Sequence, residues 1–146
     1  MRASQIMTAN PEVLTVHDDV TRAAQVMRAA DVGFLPIVDD LSSMRLEGVI
    51  TDRDIAVRCV AERRGPETLL GDVMSTEHLE CVRPDDDVHD VMGRMQHDRV
   101  RRIPVVDEGH RVVGVIAQAD IARQIGPREP KAVEQVLEAI SQPDAN

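Results

Sequence analysis

The stretch GVITDRDI, Gly48 to Ile55, holds the residues of this chain best suited to chemistry. A β-branched run ends in a hydroxyl, Thr51, and a carboxylate, Asp54, follows three residues on. At the start of a helix this spacing has two uses. Thr51 can accept from the Asp54 N–H while the Asp54 carboxylate accepts from the Thr51 N–H, a reciprocal capping box. Alternatively, the free N–H groups and dipole of the helix start face a cleft and attract phosphate, and the carboxylate accepts both hydroxyls of a ribose. The residues by themselves leave both uses open.

The stretch returns as GVIAQADI, Gly114 to Ile121, with Asp120 at the place of Asp54 and Ala117 at that of Thr51. Ala117 forbids a reciprocal box, so the retained carboxylate points toward a ligand, although an Asp also suits the dipole of a helix start. Neither copy has a Gly-rich phosphate loop, which excludes Walker-type and Rossmann-type sites. No Ser-His-Asp or Cys-His set has a local signature, and the chain is not expected to be an enzyme. His17, His78, His89, His97 and His110 show no ligand spacing beyond His78-x-x-Cys81, too little for a tetrahedral zinc site, so no metal is expected.

The elements that must position these residues follow from hydrophobic periodicity. Met1 to Met7 reads as a short helical lead-in, Val13 to Val16 as a strand, and Val20, Ala23, Ala24, Met27 and Ala30 as one helix face. FLPIVD and LEGVI read as strands around a polar turn. Pro36 removes a ladder donor, which predicts an edge or an interruption. From Thr51 the period becomes helical, with Ile55, Ala56, Cys59 and Val60 on one face. ERRGPE, Glu62 to Glu67, is the linker candidate. LLGDVM, LECV, a helix with Val88, Val91, Met92 and Met95 on one face, RIPVVD, RVVGVI and a helix from Ala117 to Ile125 then repeat the order. Met27, Met92 and Met95 read as core filler. Val133, Val136, Leu137 and Ile140 define a further helix with no counterpart between the copies.

The 146 residues therefore divide into a first repeat over 1–66, a second over 67–126 and a C-terminal helix and tail over 127–146. The order β, α, β, β, α in each repeat gives an α/β fold with helices covering a small mixed sheet. Composition is globular, with 42% apolar and 29% charged residues, and Phe34 is the only aromatic residue. Any planar ligand must lie on aliphatic side chains or backbone. A net charge of −9 argues against sequence-independent nucleic-acid binding. Cys59 and Cys81 form no CxxC and read as buried free thiols; with no signal peptide or membrane-spanning run, a cytoplasmic location is expected.

Both copies resemble cystathionine-β-synthase-type (CBS) domains, through FLPIVDD with GVITDRDI and RIPVVDE with GVIAQADI. The resemblance covers about residues 4 to 126, and the chain looks like a free-standing pair, a Bateman module with no attached enzyme or channel. It implies two clefts between paired repeats that hold AMP, ADP or ATP as a ligand, with no obligatory cofactor. It implies that Thr51 and Asp54 join Val100, Arg101 and Arg102 in one site, where Arg53 at the helix start is a further phosphate candidate, and that Asp120 joins Thr8, Val13, Val32 and Gly33 in another, expected to be weaker because it has Ala117 and the uncharged pair Gly33 and Phe34. Arg101 and Arg102 suit phosphate; as part of the RVRR run they also fit a solvated charge cluster. The expected function is regulatory: a ligand sensor acting on a protein partner that the sequence does not identify. The alternative is a dimerisation platform with vestigial sites. A homodimer is expected through helical faces carrying Ile55, Cys59, Ile121 and Ile125.

Overall fold

The computed structural model describes residues 1–77 and 79–143. His78, and with it the His78-x-x-Cys81 spacing, lies outside the described residues. The chain forms two compact units. One comprises Glu12–Leu79 with Gly109–Val112 and carries Asp54; the other comprises Met1–Pro11, Glu80–Glu108 and Val113–Asn146 and carries Asp120.

In the Asp54 unit, β2 (Leu14–Thr15) runs parallel to β3 (Phe34–Val38), which pairs antiparallel with β4 (Leu46–Thr51). Helix α2 (Val20–Ala30) is capped by the Asp19 carboxylate accepting from Arg22 N–H at 2.8 Å. Its buried residues are Val20, Ala23, Val26 and Met27. Ala24 and Ala30, expected on that face, are exposed, because the stripe follows positions three and four apart through Val26. Helix α4 (Leu70–Val73) closes this core with Leu70 and Val73, beside Leu35, Ile37, Ile50 and Cys59.

Pro36 lies in the central strand of its sheet, not at an edge. It faces Val49 on β4. Val49 spends both backbone groups on Ser75, with N–H···O distances of 3.0 and 2.8 Å, so it asks nothing of Pro36. On its other side β2 pairs only with Ile37 and Val38, and the missing donor falls where no ladder bond is needed.

The chain after β4 also departs from the sequence pattern. A single turn, α3 (Asp52–Asp54), passes into a π-helical segment, Ile55–Val60. Of the four residues expected on one buried face, only Cys59 is buried; Val60 is 67% exposed and Ala56 is exposed. The wider π turn rotates Val60 out of the stripe that an α-helix would have kept.

In the Asp120 unit, α1 (Ala3–Ile6) leads into β1 (Thr8–Ala9), which pairs antiparallel with β6 (Val112–Ala117, of this unit from Val113 on), and β6 neighbours β5 (Arg102–Val106). The expected strand at LECV is reduced to one parallel bridge, Val82 to Val105. Helices α5 (Val88–Asp98), α6 (Gln118–Gln124) and α7 (Pro130–Ser141) enclose one core with Val91, Met95, Ile121, Ile125, Val133, Val136 and Ile140. The C-terminal helix therefore packs on its own unit. Ile121 and Ile125, expected on an outward dimer face, are 0% and 3% exposed within this core, and Cys59 is buried likewise in the other.

Candidate functional site

At Asp54 the fold builds the full reciprocal cap. Asp54 N–H donates to Thr51 Oγ1 at 3.1 Å, and Thr51 N–H donates to Asp54 Oδ2 at 3.0 Å. Ser75 Oγ approaches the same Oδ2 at 3.5 Å. The other oxygen, Oδ1, faces Arg58 Nε at 3.8 Å, an ion-pair separation too long for a hydrogen bond. Arg58 instead donates from Nη1 to the Met74 carbonyl at 3.3 Å. One carboxylate oxygen of Asp54 is thus only loosely held. The capping use read from the sequence is thus made, and it takes one oxygen of the carboxylate.

Beside this corner lies a pocket of about 410 Å³ lined by Arg58, Met74, Ser75, Thr76 and Glu77. None of these residues was singled out from the sequence. The signal available was the offset of 67 residues between Met7 and Met74, which matches Ser75 with Thr8. Arg53 is exposed at the helix start. Val13, Val32 and Gly33 belong to the same unit and are half-buried. The Gly33 carbonyl accepts from Asp52 N–H at 3.0 Å, and a Cβ there would meet Asp52 Oδ2 at 2.7 Å, so a larger residue would have to turn that exposed side chain aside.

At Asp120 the geometry differs. Ala117 N–H donates to Asp120 Oδ2 at 2.8 Å, but no hydroxyl returns the bond to the Asp120 N–H. Arg123 Nη2 donates to Asp120 Oδ1 at 2.7 Å, and Asp120 is 6% exposed, the only buried charged residue of the described chain. Thr8, in β1, and Val100, Arg101 and Arg102, at the start of β5, belong to this unit. Val100 packs against the core, Arg101 is exposed and Arg102 is half-buried. The Arg101 carbonyl accepts from Gln118 N–H at 2.9 Å, as Gly33 does for Asp52.

Among the described residues no three of His, Cys, Asp and Glu are grouped so as to hold a metal. Cys59 and Cys81 are free thiols, the first buried and the second half-buried; burial pushes the Cys81 thiol above its ordinary pKa. Among the described residues no helix is long and apolar enough to cross a membrane.

The family described as CBS domain matches residues 3–60 and 70–126. Hypoxic response protein 1 of Mycobacterium tuberculosis is 36% identical over 143 residues, covering 98% of this chain and 96% of that protein. The crystal structure of Hypoxic Response Protein I with two coordinated zinc ions superposes with a TM-score of 0.76 at 37% identity, over 85% of this chain and 98% of that one. The CBS domain pair of protein MJ0100, solved with 5-methylthioadenosine and S-adenosyl-L-methionine, superposes with a TM-score of 0.75 at 26% identity, over 88% and 98% of the two chains.

Proposed function

Because the chain belongs to the CBS-domain family and carries the domain twice, we propose that it is a regulatory module that senses an adenine nucleotide, AMP, ADP or ATP, through Asp54. The supporting observation is the divided use of the Asp54 carboxylate. Oδ2 is held by the cap, while among the described residues Oδ1 has only Arg58 at 3.8 Å and is available to a ribose hydroxyl. The resemblance assigns Thr51, with Val100, Arg101 and Arg102, to the same ligand, and Arg53 at the helix start is a further arginine for its phosphates. The ligands of the MJ0100 domain pair both contain adenosine, which fits this class.

Ligand binding regulates only through a difference in affinity between two states of the module. The partner so regulated is a protein or a second copy of this chain. Val57 and Val60, 47% and 67% exposed on the π segment, are the apolar side chains left for such a contact there.

Thermal unfolding with and without AMP, ADP, ATP and S-adenosylmethionine, on the wild type and on Asp54→Ala, tests the reading. A ligand at about 100 times its Kd adds about 2.7 kcal/mol, a shift of several degrees. Asp54→Ala lowers the baseline by removing the cap, so the ligand-dependent increment is the quantity compared. An increment that vanishes in Asp54→Ala supports the sensor. No increment with any ligand favours a dimerisation platform, which sedimentation would then reveal.

A further inference from the structure

The two copies differ at two positions that bear on the same carboxylate. Thr51 is matched by Ala117, and Val57, at the same offset, is matched by Arg123. Val57 is apolar and 47% exposed, so Asp54 must look one residue further to Arg58, at 3.8 Å across the π turn. Arg123 lies three residues after Asp120 on an α-helix, where that spacing places side chains together, and it closes to 2.7 Å. Each Asp120 oxygen then has a donor, Oδ2 the Ala117 N–H and Oδ1 the guanidinium, whereas Oδ1 of Asp54 has none within hydrogen-bond distance among the described residues.

We infer that Arg123 is a specificity-determining residue: it occupies the Asp120 carboxylate as an internal substitute for a ribose, so that the chain binds one nucleotide, at Asp54, and not two. This rests on the sensor reading above, in which an Asp at this turn holds the ribose. A ribose hydroxyl on this carboxylate would form a charge-assisted bond too, but the guanidinium adds a full opposite charge beside a carboxylate that is 6% exposed, where the attraction is less screened. The guanidinium is also tethered next to the carboxylate and loses less freedom in reaching it than a free ligand does. At Asp54 the competing arginine is too far to hydrogen-bond, and a hydroxyl can take its place.

Equilibrium dialysis with AMP and with ATP tests this on the wild type, Arg123→Val, Asp54→Ala and the Asp54→Ala/Arg123→Val double variant. Far-UV circular dichroism confirms that each is folded. The expected stoichiometries are one, two, none and one nucleotide per chain, the Asp120 affinity rising at least about tenfold when Arg123 is removed, equivalent to about 1.4 kcal/mol. Arg123→Gln, which keeps a neutral donor, takes the place of Arg123→Val if the latter fails to fold, with an intermediate gain expected. A folded Arg123 variant that still binds one nucleotide, or a wild type that binds two, overturns the role of Arg123 and leaves the sensor reading standing. Binding to neither wild type nor Arg123 variants overturns both.

Discussion

The thioether of Met74 lies on Gly48: a Cβ at Gly48 would come within 2.8 Å of Met74 Sδ and 2.9 Å of the Ser75 carbonyl. Gly114 stands in the same relation to Met7, with the Thr8 carbonyl 3.1 Å from its would-be Cβ. In each unit the segment after a lead-in helix crosses the strand that ends at the Asp corner, and only a glycine lets it pass that closely. Gly48→Ala is therefore expected to destabilise by about 1–3 kcal/mol, as overpacking does. Met74→Ala in the same chain should recover part of the loss and leave the clash with Ser75 backbone. Urea denaturation of the single and double variants measures both, and Gly114→Ala with Met7→Ala should behave alike.

The caps at Thr51 and Ala117 differ by one hydroxyl and give opposite predictions. Thr51→Ala removes the acceptor of the Asp54 N–H and should cost about 1 kcal/mol. Ala117→Thr supplies the missing acceptor to the Asp120 N–H and should gain a similar amount or less. Denaturation midpoints at constant m-value decide each case.

His89 joins α5 to the residue that begins α7. Its Nδ1 lies 2.8 Å from Asp87 Oδ1 and its Nε2 2.7 Å from Glu129 Oε2, so both contacts are hydrogen bonds only when the ring is protonated. Glu129 first and Asp87 second hold its pKa above the ordinary 6.5. A pKa raised in the folded state contributes stability that is full below about 6.5 and is lost as pH rises through the folded value. The Tm of the wild type should fall relative to His89→Gln as pH rises from about 6.5 through the folded value, with the two curves parallel once the ring is neutral in both states. The same His89 contacts hold Asp87 below its ordinary 3.8, a contribution lost as pH falls through the folded value.

Burial separates positions that the sequence pattern grouped. Ile121 is fully buried against the core that contains α7, and Ile121→Ala should cost about 2–5 kcal/mol. Val60 was expected on a buried face but is 67% exposed, and Val60→Ala should stay within about 0.5 kcal/mol. Thermal or urea denaturation of the two variants checks the contrast.

The elements, the duplication and the Asp corners were legible in the sequence because each rests on local chemistry. Periods of two and of nearly four residues, a hydroxyl before a turn and a carboxylate three residues on are written in consecutive positions. Val88, Val91, Met92 and Met95 are buried as their spacing predicts, and the caps form where their donors and acceptors stand. Tertiary structure alone decided the rest. Met7 and Met74 each match both glycines by pattern, and long-range strand pairing settles that Met7 meets Gly114 and Met74 meets Gly48. The helix after Asp54 runs on as π and that after Asp120 as α, and this difference of less than one residue per turn changes how each arginine is presented to its carboxylate. The sequence places an arginine four residues after Asp54 and three after Asp120, but only the folded helices set the separations, 3.8 Å from Arg58 to Asp54 and 2.7 Å from Arg123 to Asp120.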